Sequence, residues 1–424
     1  MVLNSTASPD GYLRRYIDDV LDELLPELTA ISIDGPRDVG KTSSASRRAD
    51  ITLTLDNPEV RDLVAADPQL QLSRGDVVLV DEWQHLPVIW DVIRRAVDAH
   101  SGGTYLLTGS ASPQPGTDTH TGAGRIVSLR MRPMSLAERP GSAPTVRIRD
   151  LFDADASVGG RTDTDLADYA REICASGLPD VHAAAPRARR AALAGYIDRI
   201  IDRDIPDSGV AIRRPVTLRA WLTAYAAATS TTTDYVKILD AATPGDAGKP
   251  SRTTAINYRD VLTKLWILDP VPAWLPGYAP LSRLNQAAKH QLADPALVTT
   301  LLSVSEEALL SGATGTGELF GRLFESLAAL TLRSAGEAAE ARTYHLRTRA
   351  GQQEIDYVLE RYDGAVIAVE VKLARTVDDH DVRHLHWLEQ QIGSRLRNKI
   401  VVTTGTEAYR RSDGVLVIPL ALLG

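Results

Sequence analysis

One cysteine, three methionines and three phenylalanines in 424 residues are few, and each scarcity excludes something. A lone Cys174 cannot close an internal disulfide, which fits a reducing compartment, and a packed thiol is its plain reading. No apolar run approaches the roughly eighteen residues that a membrane-spanning helix needs, and Met1 to Gly11 carries no apolar signal core. A cytoplasmic location without a membrane partner is the expectation. The net charge is −8, so there is no general basic field for nucleic acid, and any such contact has to be local. Lysine is scarce as well, at seven of the 47 basic residues. Two of those seven, Lys41 and Lys372, stand in motifs where a compact ammonium is chemically preferred to a guanidinium. A chain of this length, 44% hydrophobic and 24% charged, is globular and too long for one ordinary core.

What is present begins with Ile31-Ser-Ile-Asp-Gly-Pro-Arg-Asp-Val-Gly-Lys-Thr42, an alternating apolar strand that runs into a glycine-bounded loop and the start of a helix. Gly35, Gly40, Lys41 and Thr42 complete the G-x-x-x-x-G-K-T phosphate-loop pattern. Backbone N–H groups of Gly35, Pro36, Arg37, Asp38, Val39, Gly40, Lys41, Thr42 and Ser43, proline excepted, surround the phosphates of ATP. Lys41 neutralises the outer phosphates and the Thr42 hydroxyl ligates Mg²⁺. The expected partner is Val77-Val-Leu-Val-Asp-Glu82, a buried strand ending in two acids. Asp81 is placed to hold Mg²⁺ and Glu82 to polarise the attacking water. Thr108 and Ser110, at the end of the strand Thr104–Ser110, lie where such ATPases sense the γ-phosphate; a hydroxyl capping the next turn is the alternative. Arg125, after a Gly- and Pro-rich loop, is a candidate arginine finger, with a surface salt bridge as the commoner fate.

Composition then turns to Pro, Gly, Ser and Asp between Gly141 and about Asp165, the mark of a boundary. Helical patterns follow over 165–176 and 186–205. Three short helices, 217–229, 233–242 and 252–265, precede a proline-broken strand pair in Trp266–Trp274, which suggests a winged helix. Arg252, Arg259 and Lys264 make its third helix only modestly basic.

The last region holds a helix, Glu318–Ser334, carrying Glu325, then a hairpin from Gln353 to Lys372 that turns at Asp-Gly. A three-residue loop Tyr362–Asp363–Gly364 sets residue 361 opposite 365, and therefore 356 opposite 370. Strand alternation puts Ile355, Tyr357, Leu359, Ile367, Val369 and Val371 on one apolar side, and Val366, Ala368, Glu370 and Lys372 on the other. Asp356 joins Glu370 in that register. Two carboxylates about 4 Å apart repel by about 4 kcal/mol at an effective dielectric near 20, so a positive charge must sit there, either a metal ion or Lys372. With Glu325, the set Asp356, Glu370 and Lys372 has the pattern of a Mg²⁺-dependent nuclease: Glu325, Asp356 and Glu370 as metal ligands and Lys372 orienting the nucleophile. An ion-paired charged edge is the bland alternative. Downstream, His380 and His384 are spaced to share a metal, although a solvated helix face is plainer, and Gln390 or Gln391 is positioned to approach the same face.

These motifs, with Asp81-Glu-Trp-Gln84, His120-Thr-Gly-Ala-Gly-Arg125 and Arg130-Met-Arg-Pro-Met-Ser135, resemble the uncharacterised bacterial and archaeal AAA-type ATPases whose C-terminal domain of unknown function is related to the restriction-endonuclease-like fold. The resemblance spans nearly the whole chain. It implies a parallel sheet with the phosphate-loop strand beside the Asp81 strand, ATP rather than GTP, and ring-forming relatives, so that a homo-oligomer is one expectation. Many relatives have a degenerate acid set, whereas this chain keeps every member. The expected plan is α/β throughout: an ATPase domain over 1–150, a helical and winged-helix region over 151–285, and a nuclease-like domain over 286–424. The expected function is a Mg²⁺-dependent ATPase that drives or gates a nuclease acting on DNA or RNA. The alternative is an ATP-switched DNA-binding or protein-interaction module whose nuclease-like domain is not catalytic.

Overall fold

The computed structural model describes residues 11–100, 102–109, 122–207, 209, 214–243, 250–274, 287–348 and 351–424. Two sheets organise the chain. The first has five parallel strands in the order β2-β3-β4-β1-β5: β1 Ala30–Asp34, β2 Ile51–Thr54, β3 Val77–Asp81, β4 Thr104–Gly109 and β5 Val127–Arg130. The phosphate-loop strand β1 is therefore not beside the Asp81 strand β3, as the resemblance implies, because β4 lies between them. The consequence is chemical: Thr108 of β4 stands opposite Ile33 on one side and Asp81 on the other.

The second sheet is mixed, with six strands in the order β10-β11-β9-β8-β7-β6. These are β6 Ala341–Arg347, β7 Glu354–Arg361, β8 Val366–Val371, β9 Leu396–Thr403, β10 Tyr409–Arg410 and β11 Leu416–Pro419. Strand β8 runs parallel to β9 and β9 to β11, while β6–β7, β7–β8 and β10–β11 are antiparallel.

The principal helices are α1 Tyr16–Leu24, α2 Lys41–Ser46, α3 Val88–Asp98, α4 Leu166–Ala175, α5 Pro186–Arg199, α6 Pro215–Ala227, α7 Tyr235–Ala242, α8 Arg252–Lys264, α9 Pro295–Leu301, α10 Thr316–Ala338 and α11 Asp379–Ile392. Period-two alternation in the strands divides the core. Val78, Val80, Tyr105 and Leu107 pack under α3, whereas Leu79, Leu106, Ile31 and Ile33 face the other way. That second face joins one continuous apolar core running through α4, α6 and α10 to Tyr357, Leu359, Ile367, Val369, Ile400 and Val402 of the second sheet. The outer face of that sheet packs Val358, Val366, Ala368 and Val401 beneath Val382, Leu385 and Leu388 of α11. Buried on both faces, β8 reads as an apolar run broken by Glu370, and β9 does so over Ile400 to Val402, as parallel strands do.

Backbone pairings also cross the expected boundaries. Thr145 to Ile148 bond with Leu422 and Gly424 at the end of the chain. Leu268 and Val271 pair antiparallel with Leu292 and Lys289, so the strand following the three short helices finds its partner beyond residue 286. No helix among the described residues is long and apolar enough to cross a membrane.

Candidate functional sites at the phosphate loop and the acid cluster

The phosphate loop leaves buried β1 and turns over the exit of β5. A β-carbon on Gly35 would lie 2.1 Å from the Met131 carbonyl oxygen, so only glycine permits this approach. Arg15 of the preceding segment fixes the same region from behind, donating to the carbonyls of Val39 and Arg132, each at 2.8 Å, and to Glu138 Oε1 at 3.0 Å. Lys41 is buried, and its Nζ donates to the carbonyls of Gly35 at 3.1 Å and Pro36 at 2.6 Å. Burial pushes its pKa down to about 8, against the pull of Glu82, Asp38, Asp81 and Asp34.

Two hydroxyls converge on one carboxylate oxygen. Thr42 Oγ1 donates to Asp81 Oδ1 at 2.8 Å and Thr108 Oγ1 to the same atom at 2.5 Å. Mg²⁺ takes oxygen ligands in a tight shell, and a hydroxyl and a carboxylate already in contact at the end of the loop fit such an ion. Glu82 follows Asp81 with φ +52°, which turns it out of the strand line, and its carboxylate accepts from the Gln84 side chain. A cleft of about 1060 Å³ opens here, lined on the sheet side by residues 37–43, Tyr12, Glu82 and Met131, and on the helical side by Pro179, Asp180 and Asp207. Arg37 bridges the two walls, 3.4 Å from Asp204. Ser43 lines this cleft too, but Arg125 does not; it pairs with Asp98 of α3 at 2.8 Å on an exposed surface. Ser110 lies outside the described residues, as do His120 and Thr121 of the following loop.

In the second sheet the hairpin has the expected register. Tyr357 pairs with Val369 and Leu359 with Ile367, Arg361 N donates to Ala365 O at 3.0 Å, and Gly364 closes the turn at φ +80°. Pairing of β7 with β8 stops at Tyr357, and the Asp356 carboxylate takes over: its Oδ2 accepts from Val371 N at 2.9 Å. Alternation is disturbed at this point, and Ile355 packs with Val358 and Val366 under α11 rather than with Tyr357 and Leu359.

The structure gathers Glu325, Asp356, Glu370 and Lys372, and adds a residue that the sequence reading passed over. Lys289 is 1% exposed, and its Nζ bridges Glu325 Oε1 at 2.7 Å and Asp356 Oδ1 at 3.1 Å. The positive charge between Glu325 and Asp356 is therefore Lys289, a residue outside the expected set. Lys372 Nζ lies outside this pair, 3.6 Å from Glu370 Oε2 and 3.8 Å from Asp381 Oδ1. Glu370 Oε1 is buried with no hydrogen-bond partner among the described residues.

The charges follow from these contacts. Burial opposes charge on Lys289, but Glu325 and Asp356 outweigh it and hold the ammonium well above its usual range. Burial likewise opposes ionisation of Asp356, and Lys289 with the Val371 amide outweighs it, so this carboxyl sits low. Burial dominates at Glu325, whose pKa is pushed up to about 7 against the pull of Lys289. It dominates at Glu370 too, reinforced by Asp356, and raises that carboxyl well above its usual range. An ion held jointly by Glu325, Asp356 and Glu370 does not fit this arrangement. Both Asp356 oxygens are engaged, and the oxygen of Glu325 that faces Asp356 carries the ammonium.

The remaining candidates stay apart. His384 Nδ1 contacts Gln353 Oε1, and its Nε2 accepts from Arg383, so it shares no ligand position with His380, which lies beside Asp378 and Asp381. Gln390 and Gln391 are exposed, and at 1.5 Å per residue they stand about 13 Å along α11 from Asp381. On α8, Arg259 is paired with Asp260 at 2.8 Å and lies over Tyr235. One signal pointed to Lys289: it is one of only seven lysines in an arginine-rich chain.

Comparison with known proteins matches three successive segments of the chain. An AAA domain family matches residues 28–139, a domain of unknown function (DUF8612) matches 166–308, and another (DUF4143) matches 320–423. Uncharacterized proteins of Mycobacterium tuberculosis and Mycobacterium bovis are each 26% identical over 410 residues, covering 94% of this chain and 82% of theirs. Among solved structures, the Walker-type ATPase of Pyrococcus abyssi is 15% identical, covering 71% of this chain and all (100%) of its own, at a TM-score of 0.42. A RuvB variant of Thermotoga maritima is 16% identical over 64% of this chain and 94% of its own, at 0.29. The segment 28–139 that the AAA domain family matches is the one that carries the phosphate loop, the parallel sheet and the Thr42–Asp81 contact.

Proposed function

We propose that the protein is a Mg²⁺-dependent ATPase whose nucleotide state acts on its C-terminal domain as a switch, and that this nuclease-like domain, with Lys289 in its acid cluster, is a binding or interaction module and not a nuclease. The observation that carries the ATPase reading is the convergence of Thr42 and Thr108 on Asp81 Oδ1. Loop amides and Lys41 hold the phosphates, Thr42 and Asp81 hold Mg²⁺, and Glu82 orients the water that attacks the γ-phosphorus. The metal supplies charge neutralisation on the phosphate oxygens. Thr108, bonded to the same oxygen of Asp81, makes the end of β4 responsive to what occupies the loop.

The switch reading rests on what surrounds Met131. Its carbonyl touches Gly35, and its neighbours Arg130 and Arg132 reach Asp269, each at 2.8 Å, while Arg132 also reaches Glu337 of α10 at 2.6 Å. Arg333 of α10 pairs with Asp269 at 2.5 Å. The acid Glu325 lies on the same helix, about 12 Å from Arg333 at 1.5 Å per residue. A second path leaves the cleft wall, where Gly177 O accepts from Met134 N, and Asp294 accepts from Ser176 Oγ and Gly177 N.

The test is phosphate release by wild type, Asp81→Asn and Glu82→Gln with ATP and Mg²⁺, alongside incubation of circular single- and double-stranded DNA with Mg²⁺ or Mn²⁺, with and without ATP. The expected result is turnover lost in both variants and no DNA cleavage by wild type. Turnover unchanged in Glu82→Gln ends the ATPase reading. A second reading, an ATP-gated nuclease, is favoured by the unpartnered Glu370 Oε1 beside Lys372. Cleavage by wild type that is lost in both Asp356→Ala and Lys372→Ala would establish it.

A further inference from the structure

We propose that Lys289 is the resident cation of the acid cluster, standing in the position of a divalent ion, and that the cluster is a latent divalent-cation site which opens when this one ammonium is removed. The inference goes beyond the ATPase reading and does not depend on it.

Three features carry it. First, the Lys289 ammonium uses its donors as a cation at that position would use its coordination: Glu325 Oε1 at 2.7 Å, Asp356 Oδ1 at 3.1 Å and the Asp356 carbonyl at 3.4 Å. It joins acids from α10 and β7 that would otherwise repel each other. Secondly, the lysine is locked in place. Its backbone exchanges both hydrogen bonds with Val271 at 2.9 Å, and its ammonium lies 5.1 Å from the centre of the Tyr357 ring. The next two residues are buried and anchored, His290 to the Thr233 carbonyl at 2.7 Å and Gln291 to Tyr357 Oη at 3.1 Å.

Thirdly, the oxygens that a divalent ion needs are already gathered. Glu370 Oε1 is buried with no hydrogen-bond partner among the described residues. With a neutral side chain at 289, it joins the Glu325 and Asp356 oxygens that Lys289 has released. Lys372, 3.6 Å from Glu370 Oε2 and 3.8 Å from Asp381, stays in place. Removing one ammonium leaves the cluster one charge more negative, which favours a cation there.

The probe is Mn²⁺, followed by isothermal titration calorimetry and by the electron paramagnetic resonance of the free ion, on the full chain carrying Thr42→Ala and Asp81→Asn to silence the phosphate loop. In that background the Lys289 chain is expected to bind Mn²⁺ at least tenfold more weakly than Lys289→Met. The latter should gain one site per chain, which Asp356→Asn then removes. Equal Mn²⁺ affinity with Lys289 and with Met at 289 overturns the proposal, as does a folded Lys289→Met chain that gains no site. If Lys289→Met does not fold alone, the paired change Lys289→Gln with Glu325→Gln removes both members of the ion pair and is held to the same standard. Folding of either variant restored by Mn²⁺ supports the proposal, and failure of Mn²⁺ to restore either one overturns it.

Discussion

Asp269→Asn is an isosteric change with a large expected cost. Asp269 is 3% exposed, and its carboxylate meets three guanidiniums: Arg130 and Arg132 at 2.8 Å and Arg333 at 2.5 Å. Each pair, at about 4 Å between charge centres and an effective dielectric near 20, is worth about 4 kcal/mol of gross attraction. Most of that sum offsets the cost of desolvating four charges, so the net effect of removing the anion is better taken from broken buried pairs, about 3–5 kcal/mol. Against a typical total of about 5–15 kcal/mol, this is a large fraction. Among the described residues, Glu337, 2.6 Å from Arg132, then remains to balance the arginines. The assay is urea unfolding followed by tryptophan fluorescence, with Trp266 as a local reporter because Arg130 lies over its ring at 4.6 Å. Arg132→Met added to Asp269→Asn should recover part of the loss, since one orphaned cation leaves with it. The acid limb supplies a second check. Burial opposes the charge of Asp269, but the three arginines outweigh it and hold its carboxyl below the usual range. Its stabilisation is therefore full above about pH 4, the unfolded value, and is lost as pH falls towards the folded one. A loss below about 1 kcal/mol, the level of an exposed pair, with no recovery in the double variant, would refute the claim that this network ties the ATPase sheet to α10.

Two further changes test the sites themselves. Gly35→Ala places a β-carbon 2.1 Å from backbone that cannot yield cheaply, the Met131 carbonyl, so it should cost about 1–3 kcal/mol as overpacking does and weaken binding of a fluorescent ATP analogue. Gly321→Ala on α10, where an added β-carbon meets nothing within 4 Å, should instead be neutral or stabilising by up to about 1 kcal/mol; equal melting temperatures for the two variants would remove the steric argument. Glu325 has a folded pKa raised to about 7, so its contribution is fully present below its unfolded value near 4.3 and is lost as pH rises through about 7. Denaturation midpoints measured from pH 5 to 8 should fall across that window in wild type and lie flatter in Glu325→Gln; parallel curves would contradict the assignment.

Legibility in the sequence followed the range of the physics involved. The phosphate loop, the acid-ended strand β3 and the hairpin register were readable because each is fixed by residues close in the chain: a glycine spacing, an apolar run, and a three-residue turn that forces 357 opposite 369. Strand order was not readable. Nothing in β1 or β3 says that β4 will insert between them, yet that insertion is what brings Thr108 to Asp81. The partner of Arg125 was not readable either, since Asp98 lies 27 residues earlier at the end of α3. The acid cluster shows the limit most plainly. Local alternation required Asp356 and Glu370 to share a face and demanded a counter-charge, and that demand was correct. Electrostatics names Lys372, which lies 3.6 Å from Glu370, but not a second lysine more than sixty residues earlier that pairs with Asp356 and Glu325. That lysine is placed by the antiparallel bridge between Val271 and Lys289, which sets its side chain between α10 and β7. A nuclease signature read from Asp356, Glu370 and Lys372 is therefore incomplete until every lysine in the chain has been placed, because the Lys289 ammonium takes up one oxygen each of Glu325 and Asp356 that a metal ion would need.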